Sequence, residues 1–218
     1  PELRIQGAGT TLRIEGRMND TLGQFWQFYA EDLRPSESYE LSLHENNGSA
    51  LCESWPLSTF PAPDQNPERV RLLFYTCAGG PQGTCQGVGD RQGNLPTEIR
   101  NRILRRALSY SPDAVISNGD HIYWDLHTWQ GEGAGELSPA GQRSNFDFQT
   151  EVFGGSNEEA LKMAADPQIV PVYGTDFRST PVFFLQDDHD HWENDSPLTY
   201  PVPWFQLQLA RATQQLYY

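Results

Sequence analysis

Asp187, Asp188, His189, Asp190 and His191 follow almost directly on the apolar run Val182-Phe183-Phe184-Leu185, crowding three carboxylates and two imidazoles into five residues. A second stretch is built on the same plan: Ala114-Val115-Ile116-Ser117 runs into Asn118-Gly119-Asp120-His121-Ile122-Tyr123. A third apolar run, Val70 to Thr76, ends at Cys77 and a glycine-rich turn reaching Gly89. A buried strand holds its polar tip rigidly, so strand ends are good places for groups that must act together. Carboxylates, a histidine and a thiol brought to one point suit one or two metal ions. Such a site suits hydrolysis of a phosphate ester, because a metal makes hydroxide available at neutral pH and two metals clamp the attacking and leaving oxygens.

The elements around these tips predict how they meet. Residues 96–109 read as a helix, with Ile99, Ile103, Leu104, Ala107 and Leu108 on one face and Arg100, Arg102, Arg105 and Arg106 largely off it. Ser111-Pro112-Asp113 ends that helix, and strand, helix, strand at this spacing implies a parallel pair with a right-handed crossover. The carboxyl ends of parallel strands open on one sheet edge, so Cys77, Asp120 and Asp188 are expected to converge. Residues 126–156 read as a long surface excursion, Asn157 to Ala165 as a short helix, and Phe205 to Tyr218 as a helix burying Phe205, Leu209, Ala212 and Leu216.

Residues 1–66 read instead as short strands. Leu12 and Ile14, and Tyr39, Leu41 and Leu43, alternate with polar residues between turn signals such as Asn46-Asn47-Gly48. The spacing Leu33-x-Pro35-x-x-x-Tyr39 resembles the corner of fibronectin type III and related sandwiches, where a tyrosine hydroxyl bonds to nearby backbone. Phe25, Trp26, Phe28 and Tyr29 admit a carbohydrate-binding cluster, with core packing the stronger reading. Three prolines in Pro61 to Glu68 mark the boundary, giving a β-sandwich-like N-terminal domain over 1–66 and a catalytic domain from 67 to 218.

The 218 residues carry a formal net charge of −14, which argues against nucleic-acid binding through a basic patch and makes the arginines of residues 100–106 a solvated helix face. Cys52, Cys77 and Cys85 are too few for a disulfide framework. No run is apolar over the length a transmembrane segment needs, and residues 1–20 lack the apolar core of a signal peptide. Both ends are abrupt, which reads as a piece of a longer protein.

Gly119-Asp120-x-Ile122-Tyr123 and Asp187-Asp188-His189-Asp190 together resemble signature motifs of the PhoD-like alkaline phosphatases, a branch of the calcineurin-like metallophosphoesterases. The resemblance covers roughly residues 69–218. The similar purple acid phosphatases also have an N-terminal sandwich domain. The resemblance implies an α/β sandwich, here partial, behind an all-β segment of immunoglobulin or fibronectin III type. It implies hydrolysis of phosphate monoesters or diesters through a dinuclear site and metal-bound hydroxide, and a periplasmic or secreted location. Carried over, Asp120 resembles the aspartate bridging both metals, Tyr123 a phenolate ligand, and Cys77 a thiolate ligand used where relatives have aspartate. Asp188 stands where the superfamily has a metal-binding asparagine, and His189 where it has the histidine that contacts phosphate and protonates the leaving group. Iron is implied at one site, with calcium, zinc or manganese at the other.

The pattern also departs from the family. The usual first motif is Asp-x-His, whereas Thr76-Cys77-Ala78 has no histidine, and no histidine follows His191. The remaining ligands are therefore expected from a missing C-terminal half or a second polypeptide. Other readings stand beside these. Cys77 and Cys85 could form a local disulfide, Tyr123 could be a core tyrosine, and Asp120 could cap a turn. His189 with His191 could hold a single zinc. His121, Trp124, Asp125 and His127 read as pocket lining, His44 as incidental, and Asp187, Asp190 and His191 as a supporting layer. The rival of another class is a non-catalytic extracellular module whose Asp187, Asp188, Asp190, Glu193 and Asp195 bind calcium.

Overall fold

The computed structural model describes residues 1–80, 95–124, 146–191 and 204–218, and the backbone alone of 127–129 and 135–137. The first part of the chain is built on alternation. Strands β1 (Glu2–Gly7), β2 (Thr10–Glu15), β5 (Ser38–His44) and β6 (Trp55–Ser58) form an antiparallel sheet in the order β2-β1-β5-β6, while β3 (Arg17–Met18) and β4 (Trp26–Gln27) pair separately. In register, Ile5 stands opposite Leu12 and Leu41, and Tyr39 opposite Leu57. One face of the sheet therefore gathers Leu3, Ile5, Tyr39 and Leu41 with Leu12, Ile14, Leu43, Trp55 and Leu57, and Phe28 and Leu33 pack on it. The Tyr39 hydroxyl accepts the Arg34 N–H at 2.8 Å, the backbone contact expected of a tyrosine corner.

From residue 72 the pattern becomes strand and helix in turn. β7 (Leu72–Tyr75), α1 (Thr97–Leu108), β8 (Ala114–Asn118), α2 (Ser156–Tyr173), β11 (Val182–Leu185) and α3 (Trp204–Tyr217) follow, with a short hairpin of β9 (His127–Trp129) and β10 (Gly135–Leu137) inserted after β8. β8 is central and parallel to both neighbours, giving the order β11-β8-β7. Rows of side chains cross the sheet. Leu73, Val115 and Val182, then Tyr75, Ser117 and Phe184, face the helices, whose Leu104, Leu161, Ala165, Ile169, Leu209, Ala212 and Leu216 complete the core. The alternate row of Phe74, Ile116 and Phe183 faces away. Phe74 is 62% exposed and Phe183 51%, with Leu72 and Leu185 similarly open. Parallel sheets are ordinarily covered on both faces. Among the described residues, helices cover only one.

Three expectations change. The helix expected over 157–165 runs to Tyr173, through Pro167 and Pro171. Its buried Leu161, Ala164, Ala165, Gln168, Ile169 and Val172 pack along its whole length, and this burial outweighs the hydrogen bonds the prolines forgo. Arg100 lies within the core side of α1, only 6% exposed, while Ile103 is 53% exposed. The excursion of 126–156 returns to the core at Phe146 and Val152. Among the described residues, no helix is long and apolar enough to cross a membrane.

The N-terminal part is pinned to the helices by a buried ion triad. Lys162 on α2 meets Asp20 at 2.5 Å and Glu158 at 2.8 Å, with all three side chains at most 6% exposed. Phe25 packs edge-on against Tyr217 at 4.8 Å between ring centres, and Asn19 bonds the Gln215 carbonyl on α3. Of the aromatic cluster at 25–29, Phe25 and Phe28 pack inward, whereas Tyr29 is 64% exposed.

Candidate metal centre

The three parallel strands end level, and their tips meet. Thr76 leaves β7 and its hydroxyl donates to the Asn118 carbonyl at the end of β8, at 2.7 Å. Cys77 N–H and Gly79 N–H then donate to the carbonyls of Gly119 and Asp120. Contact this close requires glycine at two positions. A Cβ at Gly79 would lie 1.9 Å from the His121 carbonyl oxygen, and one at Gly119 (φ +82°) 2.3 Å from the Asp187 Cβ. Cys77 and Asp120 themselves adopt left-handed backbone, at φ +56° and +58°. That conformation costs roughly 1–2 kcal/mol for a residue with a Cβ, and such strain clusters at functional sites.

The two strained side chains meet each other. The Cys77 thiol donates to Asp120 Oδ2 at 3.1 Å, and the Tyr123 hydroxyl donates to the same oxygen at 3.1 Å. Asp120 is 7% exposed, and its Oδ1 is buried with no hydrogen-bond partner. Asp120, Asp188 and His189 each offer a ligand atom, and these atoms lie within 4.8 Å of one another. The His189 ring sits 4.2 Å from that of Tyr123, between centres. Asp120 thus meets a thiol and a phenol by hydrogen bonds and shares a ligand cluster with a carboxylate and an imidazole.

This donor set fits a cation. Cys77 is exposed as a residue, yet partial desolvation of its thiol raises its pKa, and the neighbouring Asp120 raises it further against the Thr76 hydroxyl. Burial likewise drives the Tyr123 pKa far up, with Cys77 and Asp120 adding to the effect. Without positive charge nearby, thiol and phenol stay protonated; a metal ion held here would stabilise both as anions and could satisfy the orphaned Oδ1.

Cys77 is a free thiol rather than half of a disulfide; Cys85 lies outside the described residues, as do Asp125, Glu193 and Asp195. Tyr123 is buried, 6% exposed, yet aims its hydroxyl at Asp120. His121 does not line a pocket. It is fully buried, with Nε2 2.7 Å from the Leu185 carbonyl and Nδ1 near Ser117 Oγ and Tyr173 Oη. A carbonyl only accepts, so Nε2 carries the proton and Nδ1 accepts; burial lowers the His121 pKa against the pull of Asp190, favouring this neutral form. Trp124 is also fully buried in the core. The His127 side chain lies outside the described residues.

Asp190 and Asp187 take no part as ligands in this arrangement. Asp190 Oδ1 accepts the N–H groups of His121 and Ile122, and its Oδ2 those of Asp120 and Asp187, at 2.9–3.0 Å. Asp187 Oδ1 accepts the Asp188 N–H. Sequence reading missed Arg100, whose buried guanidinium donates to the carbonyls of Ala78, Gly79 and Gly80 and fixes the turn after Cys77. The signal was present: Arg100, Leu104 and Leu108 are four apart and share one helical stripe. An open depression of about 430 Å³ between Glu68, Arg69, Arg71, Ser111 and Asp113 lies at the opposite end of the sheet. Its Asp113 is engaged by the Arg71 N–H at 2.7 Å.

No protein-family model matches the sequence, and no curated protein matches it by sequence. Among solved structures the chain is similar to a purple acid phosphatase isolated from yellow lupin (Lupinus luteus) seeds. The TM-score is 0.51 at 12% identity, over 100% of this chain and 35% of that one. The likeness is one of fold, and the chain spans about a third of that protein's length.

Proposed function

We propose that the protein takes part in metal-dependent hydrolysis of phosphate esters, within the PhoD-like branch of the metallophosphoesterases. The observation carrying this is the convergence of Cys77, Tyr123, Asp188 and His189 on a strained, half-satisfied Asp120. The fold shared with a purple acid phosphatase supports it.

In this reading Asp120, Cys77, Tyr123 and Asp188 would hold the two metal ions, with Asp120 shared between them. Bound there, the metals supply Lewis acidity and a nucleophile at neutral pH. Asp120 would neutralise part of their charge. Cys77 and Tyr123 would supply two anionic donors, a set that would suit iron, with calcium, zinc or manganese as the second ion. His189 donates a hydrogen bond to the phosphate and gives a proton to the leaving oxygen.

The reading extends to the rest of the chain. Residues 1–66 form part of a sandwich domain, supported by the Tyr39 corner, and 67–218 the first part of the catalytic domain. Additional β structure, of this polypeptide or a partner, covers Phe74, Ile116 and Phe183 and brings the remaining ligands to the same sheet edge; the exposure of that row supports this. The substrate is reached in the periplasm or outside the cell.

The test is hydrolysis of a chromogenic phosphate monoester and diester by wild type and Asp120→Asn, each supplied with iron and zinc. Wild type is expected to cleave at least one ester, and the variant to lose about 100-fold or more, the scale of removing an electrostatic stabiliser. Equal rates in the two proteins would sink the assignment.

A further inference from the structure

We infer that Asp190 is the positioning residue that brings the two halves of the metal centre together, an inference resting on the reading of Asp120, Cys77, Tyr123 and Asp188 as ligands. Three N–H groups held by its carboxylate come from successive residues Asp120, His121 and Ile122, and the fourth from Asp187. Its two oxygens accept two bonds each, which fills their lone pairs and leaves none for a metal. Asp190 is 2% exposed, so water does not substitute for it.

The consequence is geometric. The loop after β8 carries Asp120 and Tyr123, and the loop after β11 carries Asp188 and His189. Backbone hydrogen bonds bind the loop after β8 to the turn holding Cys77, through Cys77 N–H and Gly79 N–H. No such backbone bond joins the loop after β8 to the loop after β11 among the described residues. Asp190 supplies that join through its side chain, on the inner side of the loops. It also fixes the N–H of Asp120 itself, so it opposes relaxation of the left-handed backbone that aims the Asp120 carboxylate. Gly119 permits the join, since its missing side chain leaves room for Asp187.

An amide is the incisive replacement. Asn has nearly the same shape, but one of its two terminal atoms becomes a donor facing two N–H groups. At least two of the four bonds are then lost, and either choice releases an N–H of the 120–122 loop.

The probe is Co2+ alone, because a cobalt–thiolate charge-transfer band reports Cys77 and titration gives the affinity. Wild type, Asp190→Asn and Asp20→Asn are compared, the last losing a buried carboxylate in the distant ion triad. We expect Asp190→Asn to bind Co2+ about 10- to 100-fold more weakly, the cost typical of disturbing a ligand's supporting contacts. Asp20→Asn is expected to lower the melting temperature and leave the affinity at the wild-type value. Wild-type affinity in Asp190→Asn, or an equal loss in Asp20→Asn, overturns the positioning role while leaving the site itself standing. If wild type binds no Co2+, the metal centre falls and the inference with it. Should Asp190→Asn fail to fold, Gly119→Ala opens the same junction with Asp190 intact. A Co2+ affinity as tight as wild type there would overturn the inference, and a weaker one supports it.

Discussion

Two carboxylate clusters are buried in this molecule, and they are built to opposite ends. In the first, Asp20 and Glu158 flank Lys162, and every carboxylate oxygen is matched. Asp20 accepts the N–H groups of Leu22, Gln24 and Phe25 besides the ammonium, and Glu158 accepts from Thr21 and Gly154. In the second, Asp120 makes no ion pair among the described residues and has no hydrogen bond at Oδ1, and its neighbours Cys77 and Tyr123 are themselves potential anions. The first cluster carries its own cation and joins the N-terminal segment to α2. On the proposed reading the second is completed by a metal ion, and its Cys77 and Asp120 carry left-handed backbone. Buried acidity alone therefore distinguishes nothing; the balance of charge and hydrogen bonds around it does.

The sharpest way to break this contrast is to remove the built-in cation. Lys162→Met leaves two buried carboxylates uncompensated, and equilibrium unfolding should show a loss of about 3–5 kcal/mol. Metal affinity should stay unchanged. A loss well under 1 kcal/mol would mean the triad is not the balanced cluster described here.

Acid attacks the same cluster. Burial alone would raise both carboxylate pKa values, but the Lys162 hydrogen bond and the N–H donors hold Asp20 and Glu158 down at about 2, from ordinary values of 3.8 and 4.5. Groups with depressed folded pKa values stabilise fully above their unfolded values and lose that contribution as pH falls toward the folded ones. Stability should drop by about 2–3 kcal/mol between pH 5 and pH 3. The partners raise the Lys162 pKa against its burial, so its share persists through neutral pH and is lost only above the ordinary lysine value. In Lys162→Met the acid slope should largely vanish, which denaturant melts across that pH range would read.

The smallest effect has the opposite sign. Asp120→Asn removes a buried, half-satisfied charge, and in metal-free buffer should raise stability by roughly 0.5–2 kcal/mol, as relief of a strained functional site often does. Asp20→Asn should lower it. A stability loss in both variants would erase the distinction between the clusters.

How much of this was written in the sequence follows from the range of each interaction. β8 and β11 were legible because continuous apolar runs meet polar tips, and α3 because Phe205, Leu209, Ala212 and Leu216 keep a strict period. The meeting of Cys77, Asp120 and Asp188 followed from parallel strands, whose ends share an edge. The length of α2 was hidden by Pro167 and Pro171, whose local preference gave way to burial. The assignment of His121 to a pocket failed because its position beside Asp120 says nothing of which way the loop turns. The ion triad was not legible at all. Asp20 and Lys162 are 142 residues apart, and no local pattern links them. Asp190 was legible as a support, though not as the acceptor of four backbone bonds, which only the folded loops reveal.

The central claim is that the Asp120 cluster, unlike the Asp20 cluster, is completed by a metal ion. Its most direct test is the gain in unfolding free energy on adding zinc to metal-depleted protein. At a free concentration 100 times the dissociation constant, wild type and Asp20→Asn should each gain about 2.7 kcal/mol, and Asp120→Asn close to nothing. An equal gain in wild type and Asp120→Asn would contradict the account.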